Sequence, residues 1–245
     1  MNSCLIDKFP VELIHNLFDY FLALEILLIF SNVSQYLDSV LLNYSSYWIN
    51  FKSIRRAHFD LVCQRILPNQ VISLTISDDY DTPGQIELFV SHFRLEQFAR
   101  LRSFKLIDVE PYWWERIFSN LTQLTNLHSS FYDTPEITEQ WFSDLLSHDE
   151  QIVLDTHLIK THASILPQLT RIRLPHGDYL KSTTLPRLRQ LILDQCSPET
   201  LKYICSAAPQ LKVLDVYLHC DSTETKFLFP FHSLKRLVLR IRGQC

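Results

Sequence analysis

The sequence predicts an α/β fold in which repeated strand–helix units stack into a solenoid with a parallel sheet, preceded by three helices. The first observation is the recurring pattern Pro-x-Leu-x-x-Leu-x-Leu, which is clearest at 186–193 and 209–216. Most steps between the first leucines of six such units are close to 23 residues, at Leu101, Leu124, Leu169, Leu188, Leu211 and Leu234. Self-similarity at such a period indicates a repeat architecture. The longer step after Leu124 predicts one further repeat between 127 and 166.

The second observation is the spacing within each unit. Apolar residues at its fourth and sixth positions lie two apart, so both point to one face of a strand. Of these twelve positions only Ser129 is polar. The third observation is a set of short helical segments between the strands. Three of them begin with proline at the first helical position, where its missing N–H costs nothing, namely Pro111, Pro135 and Pro198.

One such unit cannot bury its apolar face alone, whereas stacked units can. The unit resembles the leucine-rich repeat family, whose pattern Leu-x-x-Leu-x-Leu-x-x-Asn/Cys is met in full at Leu188, Leu191, Leu193 and Cys196. The resemblance covers residues 71–245 and implies a curved solenoid. The alternative is an ordinary α/β domain with leucine-rich strands.

The amino-terminal residues predict three short helices. The first opens at Pro10 with Glu12 in its first turn, the second runs from about 24 to 32, and the third follows Ser34, a good N-cap. Three helices of this size cannot hide so much apolar surface among themselves. We therefore expect either the adjoining repeats or a separate protein to cover it.

The same segment contains Phe9-Pro10-x-Glu12-Leu13-Ile14-x-x-Leu17-Phe18-x-Tyr20-Phe21, then Glu25-Ile26-Leu27, then Val33-Ser34. This pattern resembles an F-box, and its spacing matches that family without a gap. Four positions depart from the family pattern but conserve burial or charge: Phe9, Phe21, Glu25 and Leu37.

This resemblance implies that the helices dock on the Skp adaptor of an SCF ubiquitin ligase, and through it on a cullin. The residues implied to supply the adaptor-binding surface are Pro10, Leu13, Ile14, Leu17, Phe18, Leu24, Ile26 and Leu27. The alternative is a helical cap in which the same side chains seal the first repeat, since a solenoid needs such caps.

Three regions follow from these patterns: an F-box at 1–45, a helical linker at 46–70 that packs on the first repeat, and the solenoid at 71–245. In the linker we expect a helix from Ser53 to Leu67, ended by Pro68, and we expect the first strand at 71–76. The sequence stops directly after the strand 234–241, so we expect the solenoid to lack a C-terminal cap.

Composition and motifs point away from catalysis. Only three glycines occur, too few for a phosphate loop or a dinucleotide fingerprint, and the HExxH and Gly-x-Ser-x-Gly motifs are absent. We therefore expect a non-catalytic chain with no cofactor and no metal site. A net charge of −4 gives no long-range attraction to nucleic acid or to an acidic membrane. Six cysteines without metal spacing, and no signal peptide, predict a reduced protein of the cytoplasm or nucleus.

The function that the two resemblances imply is a substrate-recognition adaptor of an SCF-type (cullin–RING) E3 ubiquitin ligase, with an unidentified protein target on the inner face of the sheet. Residues expected on that face are Lys105, His128, Arg171, Arg173, Gln190, Ile192, Asp194, Asp215, Tyr217, Arg236, Val238 and Arg240. Because interface hot spots favour Tyr and Arg, we expect Arg171, Arg173, Tyr217 and Arg240 to carry substrate binding. A repeat scaffold without a ligase partner is the alternative, and an enzyme with an unrecognised site is a third reading.

Overall fold

The computed structural model describes residues 5–109, 113, 116–117, 120–133, 165–180, 183–219 and 233–242. Within these ranges an opening group of three helices is followed by eight strands, with α-helices between some of them. The α-helices are α1 Val11–Phe18, α2 Ala23–Phe30, α3 Gln35–Asn43, α4 Arg56–Arg65, α5 Gln85–His92 and α6 Pro198–Ala207. The strands are β1 Tyr47–Asn50, β2 Val71–Ser77, β3 Ser103–Ile107, β4 Ser129–Asp133, β5 Arg171–His176, β6 Gln190–Cys196, β7 Val213–His219 and β8 Arg236–Arg242.

The eight strands form one parallel sheet in the order β1-β2-β3-β4-β5-β6-β7-β8. Each strand therefore pairs only with its neighbours in sequence, so the sheet grows by one strand per repeat. Parallel neighbours need a crossover connection, and α4, α5 and α6 supply it between β1 and β2, β2 and β3, and β6 and β7. The α/β class and the parallel sheet predicted from the sequence are confirmed.

The alternation within each unit also appears in the burial of the side chains. On β6 and β7 the residues at the fourth and sixth positions are fully buried, at Leu191, Leu193, Leu214 and Val216. The residues between them are partly exposed. The sheet thus has a covered face, which carries the core, and an open face.

The sheet begins one strand earlier than predicted. Tyr47 and Ile49 are buried while Trp48 and Asn50 are exposed, so 47–50 has the period of a strand, and Ile49 lies opposite Leu74 of β2. The sequence interpretation took these residues into a helical linker because they lack the leucine pattern. The helix of this region is shorter than predicted, Arg56–Arg65, and β2 is the second strand.

The repeat at β4 lies three residues further along the chain than predicted. Ser130 and Tyr132 pair with Phe104 and Leu106 of β3, so the first leucine of this unit is Leu127 rather than Leu124. The polar exception on the covered face is consequently Ser130, which is fully buried. Its hydroxyl donates a hydrogen bond to the Tyr132 hydroxyl at 3.2 Å, which satisfies a group that burial would otherwise leave unpaired.

The predicted additional repeat between 127 and 166 does not contribute a strand between β4 and β5. These two strands are direct neighbours, with Ser129 opposite Arg171 and Phe131 opposite Arg173. The backbone N–H of Thr170 also donates to the His128 carbonyl at 2.8 Å. Residues 134–164, on which the prediction falls, lie outside the described residues.

The three amino-terminal helices lie close to their predicted positions. α1 follows Pro10, which is its N-cap residue, and α3 follows Ser34, whose hydroxyl accepts the Leu37 N–H at 3.1 Å. α6 begins at Pro198, as predicted, with the Ser197 hydroxyl accepting the Thr200 N–H at 3.2 Å. The predicted starts at Pro111 and Pro135 fall outside the described residues.

The amino-terminal helices share one hydrophobic core with the sheet. A line of aromatic rings joins them: the ring centroids of Phe18 and Tyr44 are 5.3 Å apart, and those of Tyr44 and Tyr47 are 4.8 Å apart. The Gln70 amide, just before β2, donates to the carbonyls of Leu42 at 2.7 Å and Tyr44 at 3.0 Å. The helices are therefore held against the first two strands by both packing and hydrogen bonds.

In the part of the chain that the structure describes, no helix is long and apolar enough to cross a membrane.

Candidate functional site

Two surfaces were predicted to bind proteins, and the first is on the amino-terminal helices. The eight residues of the predicted adaptor surface divide by burial. Ile14, Phe18, Ile26 and Leu27 are buried in the shared core, whereas Pro10, Leu13 and Leu17 are exposed and Leu24 is half-buried. The four buried residues set the angle between α1, α2 and the sheet, and in this arrangement they are inaccessible to another protein.

The exposed half forms a stripe on α1. Leu13 and Leu17 are 55% and 39% exposed, and their i, i+4 spacing puts them on the same side of the helix. Phe9 and Tyr20 lie just outside the two ends of α1 and are 48% and 86% exposed. We refer to Phe9, Leu13, Leu17 and Tyr20 as the α1 stripe. A large exposed apolar patch of this kind marks an interface more often than a free surface.

Sequence reasoning left Leu28 and Ile29 out of the predicted site. Both lie on α2 and are 55% and 51% exposed. The signal was present, because α2 is apolar nearly all round and only one side of it can face the core. Its exposed side therefore had to carry apolar residues.

Hydrogen bonds fix the segment that carries the α1 stripe. The Tyr36 hydroxyl of α3 donates to the Phe9 carbonyl at 2.7 Å, and the Ser34 hydroxyl donates to Asp7 at 2.6 Å. The Tyr44 hydroxyl donates to Asp19 at 2.6 Å. Burial raises the pKa of Tyr44 well above its usual range, and the Asp19 carboxylate raises it further. Tyr44 therefore stays neutral and keeps donating to Asp19 at physiological pH.

The second surface is the open face of the sheet, where the predicted target-binding residues lie. Tyr217 on β7 lies opposite Arg240 on β8 in the strand register. The Arg240 guanidinium lies over the Tyr217 ring, 4.7 Å from its centroid, and forms two hydrogen bonds to Asp215, at 2.7 and 3.3 Å. The structure thus brings two of the four predicted residues together as one rigid group.

The other two predicted residues lie on β5. Arg173 forms an ion pair with Asp194 of β6, with 3.1 Å between Nη2 and Oδ1, and both side chains are about 30% exposed. Arg171 is exposed at the start of the strand. Two neighbouring strand pairs, β5–β6 and β7–β8, therefore each carry an Arg–Asp pair on the open face.

One residue predicted on this face is displaced by the shift at β4. His128 is exposed but precedes the strand, and Phe131 takes the position between Lys105 of β3 and Arg173 of β5. Phe131 is partly exposed. This adds an aromatic residue to the open face that the sequence interpretation had not placed there.

Two cysteines of the described residues, Cys63 and Cys205, have thiols with raised pKa values. Burial raises the pKa of the Cys63 thiol to about 12 and that of the Cys205 thiol to about 11, so both stay protonated and weakly nucleophilic at neutral pH. An apolar cavity lined by residues such as Ile49, Val62 and Phe89 has a volume of about 10 Å³, close to that of one water. Among the described residues, no group of three or more His, Cys, Asp or Glu side chains could hold a metal ion.

The described residues thus present two separate surfaces that one core holds in fixed relation. One surface is apolar and helical, and the other is polar with an arginine–tyrosine stack. In comparisons with known proteins, no family model matches this sequence, and no curated protein matches it significantly.

Proposed function

We propose that this chain is a substrate-recognition adaptor of an SCF-type (cullin–RING) ubiquitin ligase. In this proposal the first 45 residues are an F-box that binds the Skp adaptor, and the leucine-rich repeats bind a protein target. The chain then contributes proximity, while the chemistry of ubiquitin transfer takes place on other subunits.

The observation that carries the proposal is the division of α1 into two faces. Ile14 and Phe18 are buried against the core, and Leu13 and Leu17 point away from it with their apolar side chains exposed. A helix that served only as a cap would need the buried face, but exposed apolar side chains on the other face would not stabilise it. The second face is what a helix-binding partner would use.

The repeat scaffold with a simple cap is less well supported for the same reason. Ile14, Phe18 and the aromatic contacts to Tyr44 already seal the covered face beside β1. The α1 stripe then remains as exposed apolar surface, which costs solubility unless a partner covers it. An adaptor protein explains that surface, whereas a cap does not.

The target would lie on the open face, with Tyr217 and Arg240 at the centre of the contact. Arg240 is fixed by Asp215 and by the Tyr217 ring, so little side-chain entropy is lost when a target covers it. Pre-ordered Tyr and Arg side chains are the residues that dominate protein interfaces. Phe131 and Arg173 extend the same face toward the middle of the sheet.

The test is co-expression with a Skp adaptor, followed by affinity capture. The variant is Leu13→Asp with Leu17→Asp, because both side chains are exposed and their loss leaves the core intact. Phe18 is unsuitable for this purpose, since it is completely buried and a charge there would unfold the helices. The control is Leu67→Asp with Tyr80→Asp, which adds the same charge at two exposed positions outside the helices.

We expect the wild type and the control to capture the adaptor, and the α1 variant to lose at least about tenfold in affinity. Thermal unfolding should be similar for all three proteins. Equal capture by the wild type and the α1 variant, or no capture by a folded wild type, would contradict the proposal that the amino-terminal helices are an F-box. The scaffold reading would then take its place.

A further inference from the structure

The amino-terminal edge of the sheet carries a row of basic residues, and only two of them, Arg171 and Arg236, are also expected on the open face. In each repeat the residue after the first leucine lies just before the strand. At four of the six units this residue is Arg or Lys, and two more basic residues follow at the next position. These exposed residues, which we call the basic edge, are Arg102, Arg171, Arg189, Lys212, Lys235 and Arg236.

Backbone hydrogen bonds hold this row in register. The N–H of Arg189 donates to the Thr170 carbonyl, that of Lys212 to Arg189, and that of Lys235 to Lys212, each at 2.8 Å. The Arg102 carbonyl accepts in the same way from His128 at 2.8 Å. The Cα atoms are therefore spaced by the distance between strands, about 4.8 Å, and five steps from β3 to β8 make a row about 24 Å long.

No acidic residue neutralises this edge in the described segments that lead into β4 to β8. These segments contain neither Asp nor Glu; they are 121–128, 165–170, 183–189, 208–212 and 233–235. The nearest acid along the chain before β3 is Glu96, 3.9 Å from Arg94. Several acidic residues lie instead at the opposite edge, after the strands, such as Asp78, Asp79 and Asp108. A chain with a net charge of −4 therefore concentrates positive charge along one edge.

Two features favour a protein segment over a nucleic acid or a membrane as the partner. The same five segments contain no Phe, Tyr or Trp, whereas surfaces for single-stranded nucleic acid interleave basic residues with aromatic platforms. A membrane surface would require apolar side chains that insert beside the cations, and the leucines of this edge are buried, as at Leu188 and Leu211.

We propose that the basic edge binds an extended, carboxylate-rich segment of a partner protein. About eight extended residues would span the 24 Å of the row at about 3.3 Å per residue. Screening limits the repulsion from the acidic edge of the same sheet, because charges beyond about 8 Å interact weakly at physiological salt. The inference concerns the sheet alone and holds whether or not the helices bind a Skp adaptor.

The test measures fluorescence anisotropy of a fluorescein-labelled peptide of about twelve alternating Glu and Gly residues, titrated with the full chain at about 0.1 M salt. The variant is Arg189→Glu, Lys212→Glu and Lys235→Glu together, all at exposed positions. The control is Arg55→Glu, Arg65→Glu and Lys202→Glu, which makes the same change in net charge at exposed positions on α4 and α6 or beside them.

We expect the wild type and the control to bind the peptide and the edge variant to bind at least about tenfold more weakly. An equal loss in the control and the edge variant would show attraction by net charge alone and overturn the proposal, as would absence of binding to the wild type. Tighter binding of an oligothymidine, or of phosphatidylserine vesicles, with the same loss in the edge variant would assign the edge to those partners instead. Capture of the Skp adaptor by the edge variant is measured separately, so failure of one proposal does not decide the other.

Discussion

The guanidinium of Arg240 on β8 lies 4.7 Å from the ring centroid of Tyr217 on β7, directly across the last strand pair. Asp215 holds the same guanidinium from two residues earlier on β7, so the three side chains form one ordered group on the open face. Such a group has to be tested both as a structural element and as a binding site.

As a structural element this group should contribute little to the free energy of unfolding. We expect a double-mutant cycle of Tyr217→Leu and Arg240→Gln to give a coupling of about 0.5–1 kcal/mol, because the site is partly exposed. Urea unfolding of the four proteins measures it. A coupling of several kcal/mol would mean that the main role of the pair is to stabilise the fold, and not to bind a partner.

The buried face of the sheet should tolerate substitution far less well than the open face. The strand register supplies two leucines that allow a matched comparison. Leu214 of β7 is fully buried and lies opposite Leu237 of β8, which is 45% exposed. We expect Leu214→Ala to cost about 2–5 kcal/mol and Leu237→Ala about 1 kcal/mol or less. Chemical denaturation of both variants is the measurement, and equal costs would contradict the placement of β8 at the outside of the core.

The turn that follows β5 requires a glycine where it contacts the end of β6 and α6. A Cβ atom at Gly177 would lie 2.8 Å from the Cys196 sulfur and 3.2 Å from the Thr200 methyl group. We expect Gly177→Ala to lower the unfolding free energy by about 1–3 kcal/mol through overpacking. In a Cys196→Ala background the same change should cost less, because the nearest atom is gone. An equal cost in both backgrounds would refute the close contact.

Stability should fall at alkaline pH, and Cys63 is one cause. Burial, reinforced by Asp60, raises the pKa of its thiol from 9.0 to about 12 in the folded chain. The unfolded chain therefore loses this proton first, so the contribution is fully present below about pH 9 and is lost as pH rises toward 12. We expect Cys63→Ala to lose less stability than wild type between about pH 9 and 11. Ser91→Ala, which removes no ionisable group, should follow the wild type.

The sequence was sufficient to predict the parts of the fold in which the apolar spacing or the residues at helix starts allow one interpretation. The strands β5 to β8 follow from apolar residues two apart, α3 follows from the cap at Ser34, and α6 follows from Pro198 at its first position. At β4 the pattern was ambiguous, because Leu124 and Leu127 are both apolar and both buried. Only the pairing of Ser130 with Phe104 decides between them. β1 has no leucine, and its period of two spans only four residues.

For the candidate site, the sequence motif could not separate the two roles of its residues. A motif contains the positions that build the helices together with those that a partner would contact. Ile14 and Phe18 belong to the first group, and Leu13 and Leu17 to the second. The basic edge is not apparent from the sequence, because Arg189, Lys212 and Lys235 lie 23 residues apart along the chain. The strand register is what aligns Arg189, Lys212 and Lys235.

The most direct measurement of the central claim is hydrogen exchange of the chain with and without a purified Skp adaptor. We predict that adding the adaptor slows exchange in peptides covering 9–30, which include the α1 stripe, and leaves β6 and β7 unchanged. Unchanged exchange in 9–30 at a saturating adaptor concentration, or protection confined to the sheet, would contradict the proposal that the amino-terminal helices are the docking site.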